Sequence, residues 1–312
     1  ARVAERLGTD HHEVVVPTGD GVDIFERVVA AIDQPSIDGT NTWLVAQAAR
    51  QSVTVALSGL GADELFGGYA HFRWLAQDAQ VAEGWLPGER RIAEAVFRNL
   101  PHGAVLRYMY RRAGPVGRLA MLRNAGGTLG PADILHPTLA ANAHGRLASV
   151  HRPWLRVDAD PIQQTTYAEV RGYLLSTLLR DNDVMSMAHS LEVRPVMLHH
   201  PLAELAYALP ARCKRRGGLG KLVLREALDD LLPEEVRTGR KLGFEMPFRT
   251  WMRTGLRSRI EALLHTPSAE RLFSPPYLRQ VRTRVRRDDP PRALWAWSVL
   301  LGWMQHTGSE VP

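Results

Sequence analysis

The sequence predicts an α/β fold in which a partial parallel sheet is followed by a long, mainly helical region. Three observations lead to this prediction. The β-branched run "VTVAL" (53–57) ends in a glycine loop, amphipathic segments precede it, and strand-like patterns disappear after Tyr69. Helices between short apolar strands indicate parallel crossover connections, because parallel strands cannot be joined by a tight hairpin.

The first part of the chain supplies the elements of the predicted sheet. Residues 1–8 resemble the end of an amphipathic helix that stops at a glycine, and "HHEVVVP" (11–17) is typical of a short strand. Apolar residues at helical spacing predict helices over 21–33 and 42–50. The run "VTVAL" has no polar alternation, and we therefore expect a strand that is buried on both faces.

The rest of the chain is dominated by helical patterns. Helices are expected at 80–87, 91–100, 104–113, 117–125, 165–193, 200–210, 220–232 and 294–304, with a loop region at 126–137. The segment 294–304 is apolar but too short to cross a membrane. We accordingly divide the chain into an α/β portion, 1–70, and a helical portion of the same domain, 71–312.

Composition excludes several classes of protein. Apolar residues make up 45% of the 312 residues, no run of 18 apolar residues occurs, and the formal net charge is +6. The arginines are scattered at helical spacing, which is typical of solvated faces, so nucleic acid ranks below a phosphate-bearing small molecule as a partner. With Cys213 as the single cysteine there is no intrachain disulfide, and we expect a cytoplasmic protein without a membrane span.

The glycine loop "SGLGADE" (58–64) is the first candidate site. Ligands of open parallel sheets bind beyond the carboxyl ends of the strands, where this loop begins. Gly59 and Gly61 permit tight turns and let backbone N–H groups approach an anion. Two acids beside a phosphate would repel it, unless Asp63 holds a Mg²⁺ ion between them. The residues alone leave the alternative open that Asp63 and Glu64 only cap a helix.

Four stretches together resemble the asparagine synthetase family. "SGLGADELFGGY" (58–69) is similar to its second signature, and "LLRDNDVMSMAHSLEVR" (178–194) to its substrate-pocket region. "GKLVLREALDDLLPEEV" (220–236) followed by "RKLGFEMP" (240–247) resembles its lysine-bearing helix and the next loop, and "VAERLGTDHHEVVV" (3–16) also fits. The resemblance spans nearly the whole chain and implies a nucleotide-binding sheet of the PP-loop ATPase type.

The resemblance implies an ATP-dependent ligase that forms amides. Such enzymes use ATP and Mg²⁺ to convert a small-molecule carboxylate, aspartate or a related acid, into an acyl-adenylate. Ammonia derived from glutamine then attacks the acyl carbon. The implied partner is an N-terminal glutaminase domain, and a homodimer is one possible assembly.

Individual residues match the nucleotide site of the family. Asp63 matches the Mg²⁺ ligand, and Lys221 matches the lysine that contacts phosphate and assists in the transition state. Ser58, Gly59 and Gly61 match the loop beside the nucleotide.

Four further residues match the substrate pocket. Leu60 and Thr177 occupy positions at which asparagine-forming relatives carry acids, so the acceptor chemistry differs from theirs. Glu192 and Arg194 correspond to an ion pair beside the pocket, although a purely structural pair is an equal alternative. We also weigh a β-lactam-synthetase-like or peptide-cyclising ligase with an internal amine, and a catalytically silent binding protein.

Two parts of the family pattern are missing from the sequence. A pyrophosphate loop of the form S-G-G-x-D-S would precede residue 1, and Cys213 cannot serve as the amino-terminal nucleophile of a glutaminase. We therefore expect an N-terminally truncated piece of a larger enzyme, inactive by itself.

Overall fold

The fold was analysed in a computed structural model, which describes residues 2–15, 21–72, 129–151, 153, 160–239, 246–253 and 255–311. The helices predicted between 80 and 125, and most of the "RKLGFEMP" segment, lie outside these ranges. The described chain is α/β and mostly helical, with a small parallel sheet, as predicted. It divides into two units that are interleaved along the sequence. The division at residue 70 rests on strand content and stays a prediction.

The first unit comprises Ala1–Asp20, Asp38–Gln77 and Arg156–Pro247. It begins with α1 (Arg2–Leu7), α3 (Gly39–Ala49), β1 (Val55–Ser58) and α4 (Ala62–Leu65). It continues with α7 (Pro161–Glu169), a π-helix (Val170–Leu178), α8 (Leu179–Met187), β2 (Glu192–Pro195) and a 3-10 turn (Val196–Leu198). The final elements are α9 (His200–Ala208), α10 (Ala211–Lys214), β3 (Arg215–Arg216), β4 (Leu219–Gly220), α11 (Leu222–Ala227) and α12 (Glu234–Thr238).

Strands β1 and β2 form the parallel sheet of the first unit. Their register pairs Val55 with Glu192 and Ser58 with Pro195, so both strands end at the same edge. A parallel pair requires a long crossover, which the helices between residues 62 and 187 include. Buried Trp43 of α3 lies edge-on to His189, at the end of α8, with ring centroids 4.6 Å apart. Helices α3 and α8 thus pack together on the side of the sheet where β1 and β2 begin, opposite the edge from which the glycine loop leaves.

The structure corrects several local predictions in the first unit. Strand β1 is not buried on both faces, because Leu57 is 72% exposed and no described element covers its face of the strand. The predicted strand at 11–17 is absent over 11–15, which pair with none of the described strands, and the rest lies outside the described residues. The helix predicted over 165–193 gives way to β2, whose pairing with β1 overrides the local helical pattern.

The second unit comprises Gly21–Ile37, Asp78–Leu155 and Phe248–Pro312. Its described helices are α2 (Gly21–Ala31), α5 (Pro131–Ile134), α6 (Pro137–His151), α13 (Phe248–Arg253), α14 (Leu256–Leu264), α15 (Pro267–Leu272), α16 (Pro275–Arg286) and α17 (Leu294–Thr307). Phe25 of α2 is fully buried and meets Trp295 of α17 edge-on at 5.9 Å. The apolar helix predicted at 294–304 is therefore confirmed as a core helix.

No helix among the described residues is both long enough and apolar enough to cross a bilayer.

Candidate functional site

The loop after β1 turns sharply into a short helix. The Leu60 N–H donates to the Ser58 hydroxyl at 3.2 Å, and the Leu65 N–H donates to the Gly61 carbonyl at 3.0 Å. Gly61 has φ of 94°, in the left-handed region, and a Cβ there would overlap the side chain of Leu198. Only glycine meets both demands without strain, which explains this position of the motif.

Gly59 differs from Gly61 in having free space around it. A Cβ added at Gly59 would meet no atom within 4 Å, and its φ lies outside the left-handed region. Nothing in the described structure therefore requires a glycine here. The space lies beyond the carboxyl end of a parallel strand, where bound anions approach backbone N–H groups.

Asp63 and Lys221 meet although they lie far apart in the sequence. The Lys221 ammonium is 2.9 Å from Asp63 Oδ1, and the two side chains are 29% and 22% exposed. Lys221 precedes α11 with φ of 57°, a left-handed conformation that is uncommon for a lysine. Its N–H donates to the Phe66 carbonyl at 3.0 Å, which attaches this turn to the segment after Asp63.

The second glycine pair of the motif makes room for this contact. A Cβ on Gly68 would overlap the Asp63 carboxylate and lie 2.5 Å from Lys221 Cε. Gly67 has φ of 66°, and its carbonyl occupies the place where a Cβ of Gly220 would stand. Glycines on both sides of the contact thus let the lysine-bearing turn lie directly on the loop after α4.

A buried polar cluster begins at Glu64, the neighbour of the partly exposed Asp63. Tyr69 donates a hydrogen bond to Glu64 Oε1, and Glu64 is 1% exposed. Burial raises the pKa of the Glu64 carboxyl, which outweighs the lowering effect of this hydrogen bond. His71 stacks on Tyr69 and lies 3.0 Å from Glu169 Oε1. Of the two adjacent acids, Asp63 therefore reaches the surface while Glu64 is held inside.

The predicted pocket residues belong to three different elements of the first unit. Arg194 Nε donates to Glu192 Oε1 at 2.7 Å within β2, and both side chains are more than half exposed. The parallel register places Arg194 beside Leu57, near the edge where the glycine loop starts. Thr177 lies in the π-helix, and we find no hydrogen bond of its side chain among the described residues. Leu60 is half-buried.

A single partly exposed carboxylate beside a lysine suits a metal ion that substrate phosphates also coordinate. Among the described residues no group of three or more His, Cys, Asp and Glu side chains could hold a metal ion. Mg²⁺ does not need such a cage, since one or two carboxylates, substrate phosphates and water complete its shell. Asp63 fits that donor set, and Lys221 supplies a cation for the same phosphates.

Sequence reasoning missed the residues that hold the site together. Arg215 donates from one guanidinium nitrogen to the Gly67 carbonyl and, at 3.1 Å, to the Tyr69 carbonyl. Arg225 Nε donates to the Gly220 carbonyl at 2.9 Å. A hydrogen bond from an arginine side chain to a backbone carbonyl leaves no pattern in the sequence. The position of both arginines close to Lys221 was the one signal that could have drawn attention to them.

Known proteins similar to this chain include members of the family that the glycine-loop motif suggests, and the similarity extends over nearly all of the chain's residues. The family model for asparagine synthase matches residues 1–305. Asparagine synthetase [glutamine-hydrolyzing] 1 of Bacillus subtilis is 24% identical over 97% of this chain and 48% of its own length. A putative asparagine synthetase of Mycobacterium tuberculosis is 29% identical over 96% of the chain and 47% of its own length.

A relative with a different name also matches. Amidase chry2 of Gibberella zeae is 24% identical over 87% of the chain and 44% of its own length. The chain thus spans about half the length of the curated relatives it matches. Because the family model covers nearly all of the residues, the chain belongs to the asparagine synthase family.

Proposed function

We propose that this chain is the synthetase portion of an ATP-dependent, amide-forming carbon–nitrogen ligase. It binds ATP with Mg²⁺, activates a small carboxylate as an acyl-adenylate, and presents the acyl group to ammonia derived from glutamine. A glutaminase portion elsewhere in the protein would release that ammonia, and the sheet would belong to the PP-loop ATPase type. Membership of the asparagine synthase family supports this chemistry.

The observation that carries the proposal is the contact between Asp63 and Lys221. Asp63 follows the carboxyl end of β1 by five residues, in the same loop that contains Gly59 and its free space. Adenylation transfers a nucleotide to the carboxylate and leaves pyrophosphate, whose charge grows as the bond breaks. Cations that are fixed in advance near a developing charge stabilise the transition state strongly.

Each residue of the loop has a distinct part in this proposal. The Ser58–Gly61 backbone would donate N–H groups to the phosphates. Asp63 would hold a Mg²⁺ ion, whose positive charge would screen them. Lys221, held by Asp63 without nucleotide, directs its ammonium to the departing pyrophosphate. A lysine suits this task because its ammonium is a compact charge on a flexible stem.

The acyl pocket is proposed to lie on the side of Leu60 and Thr177. Arg194 gives this side a positive charge that can attract a carboxylate, and Glu192 orients the guanidinium through their 2.7 Å hydrogen bond. Leu60 shapes the pocket but carries no proton, so it cannot act as an acid or base. We therefore propose aspartate or a related, less polar acid as the substrate.

The test is ATP–pyrophosphate exchange by the complete protein that carries this chain. Labelled pyrophosphate should enter ATP only when Mg²⁺ and a suitable carboxylate are present, so a panel of carboxylates beginning with aspartate identifies the substrate. Exchange with at least one member is the expected result. If ATP binds but no carboxylate supports exchange, the protein is a silent family member and the proposal is wrong.

A ligase whose amine belongs to its own acyl substrate is the second candidate. The apolar, half-buried Leu60 favours it, because asparagine-forming relatives carry an acid at that position. The same assay separates the two candidates. Product that forms from ATP and the carboxylate without glutamine or ammonia would identify the internal amine.

A further inference from the structure

Arg215 joins the two halves of the candidate site. It lies in β3, and one nitrogen of its guanidinium donates both to the Gly67 carbonyl and to the Tyr69 carbonyl. Those carbonyls belong to the loop that follows Asp63. On the other side, β3 pairs with β4, and Arg215 lies opposite Gly220, the residue before Lys221.

Arg215 is tightly packed against two glycines of the site. A Cβ on Gly67 would be 3.2 Å from Arg215 Cγ and Cδ, and one on Gly220 would be 2.8 Å from Arg215 Nη1. The arginine stem thus passes between two glycines. Peptide carbonyls that accept from a charged donor form stronger hydrogen bonds than neutral pairs do. The turn that carries Lys221 is therefore attached to the loop by a cation rather than by its backbone alone.

We propose that Arg215 is a positioning residue that holds the Lys221 ammonium at Asp63 for the transfer step. This rests on the proposed function, and it assigns to Arg215 no contact with substrate. Without the guanidinium, the turn that carries Lys221 loses a charged attachment to the loop after Asp63, while the bond from the Lys221 N–H to the Phe66 carbonyl remains. The left-handed Lys221 then relaxes, and its ammonium leaves the phosphate side of the loop.

The first test measures the position of Lys221 without any enzyme activity. The sequence has three lysines, Lys214, Lys221 and Lys241, so acylation of amines followed by mass spectrometry reports each one separately. Arg215→Met keeps the apolar stem but removes the hydrogen bonds. It should raise the labelling rate of Lys221 by about tenfold, as for a local opening. Lys214 is fully buried, so its unchanged labelling shows that the protein remains folded.

The matched control is Arg216→Met. Arg216 is the exposed neighbour in the same strand, so its replacement should leave Lys221 labelling at the wild-type rate. Arg215→Lys, which retains a charged donor, should restore most of the protection. Unchanged Lys221 labelling in Arg215→Met, an equal rise in the control, or an equal rise at Lys214 would overturn the proposal.

The second test uses exchange kinetics to show that Arg215 acts through Lys221. Arg215→Met should lower the turnover of ATP–pyrophosphate exchange by about 10- to 100-fold, with little change in KM for the carboxylate. In a Lys221→Ala background it should cause no further loss, because the group that it positions is gone. If the double variant loses the product of the two single-variant factors, the proposal is overturned. Absence of exchange in the wild-type protein would instead reject the proposed function, and the labelling result would still decide the role of Arg215.

Discussion

Two ion pairs of the first unit each join an acid to a base, but they differ in sequence separation and in exposure. Asp63 and Lys221 come from distant segments, are less than one-third exposed, and meet across glycines that clear their path. Glu192 and Arg194 are two residues apart on one strand and more than half exposed. Exposed local pairs contribute little to stability. A pair that needs several special backbone positions indicates a geometry maintained for a purpose other than stability.

The largest effect is expected when a methyl group is added at Gly68, between Asp63 and Lys221. Gly68→Ala would force apart the Asp63 carboxylate and Lys221, because the added Cβ overlaps the first and crowds the second. We expect exchange activity to fall by about two to three decades. The free energy of unfolding should fall by about 1–3 kcal/mol, the usual effect of overpacking.

The control for this variant is Gly218→Ala. A Cβ at Gly218 would meet no atom within 4 Å and its φ lies outside the left-handed region, so activity and stability should stay near the wild-type values. Equal activity of the two variants would show that the Asp63–Lys221 contact does not matter for the reaction.

Replacing Lys221 separates its charge from its backbone strain. Lys221→Ala and Lys221→Gly should both lose about two to three decades of exchange activity, since both remove the ammonium. Residue 221 has φ of 57°, which glycine adopts without strain and alanine does not. The free energy of unfolding of the glycine variant should therefore be about 1 kcal/mol higher than that of the alanine variant. Urea titration measures that difference. A glycine variant no more stable than the alanine variant would show that the turn is not left-handed.

Lys214 shows what a buried cation costs without a carboxylate. It is fully buried, and its ammonium has no hydrogen-bond partner among the described residues, although it lies 5.8 Å from the Tyr207 ring centroid. Burial lowers the pKa of Lys214 to about 8, and the charge of Asp160 opposes this only in part. Between that pKa and the ordinary value of about 10.5 the unfolded chain binds more protons, so stability should rise with pH in that window.

The variant Lys214→Met tests this pH dependence. It should remove a rise of up to about 3 kcal/mol in the free energy of unfolding between pH 8 and 10.5, and should increase stability at pH 7. The exposed Arg212→Met is the control and should retain the rise. An unchanged pH profile in Lys214→Met would mean that the ammonium finds solvent or a partner in the folded protein.

The smallest effect is expected at the exposed pair. Glu192→Gln should leave the free energy of unfolding unchanged within error, because both partners are solvated. If the pair orients the guanidinium for substrate, KM for the carboxylate should rise while turnover stays constant. Unchanged KM together with unchanged stability would remove Glu192 from the site and leave the pair as a surface feature.

Local sequence pattern predicted the elements that depend on local physics. The β-branched run, the glycine loop and the apolar C-terminal helix were found because propensity and periodicity specify them within a few residues. Strand β2 was missed because its four residues include Glu192, Arg194 and Pro195, and only pairing with β1 makes it a strand. The helix expected over 220–232 covers only Leu222–Ala227, and turns follow it at 228–231 although the helical pattern of the sequence continues.

The site was predictable only in part for the same reason. Similarity of motifs suggested that Asp63 and Lys221 belong together, whereas no periodicity relates them. The roles of Gly68 and Arg215 depend on atoms that approach from the other segment, so they become visible only in three dimensions. The catalytic and pocket roles assigned from the motif stay predictions.

The most direct test of the central claim is the exchange activity of Asp63→Asn in the complete protein. Asn keeps the shape of the side chain but loses the charge that holds Mg²⁺ and Lys221. The control is Asp229→Asn, which removes the charge from a surface pair with Arg237, 2.7 Å long, in the same unit. We predict that Asp63→Asn abolishes exchange at every Mg²⁺ concentration tested while Asp229→Asn retains it. Full exchange activity in Asp63→Asn would contradict the assignment of this loop as the metal and phosphate site.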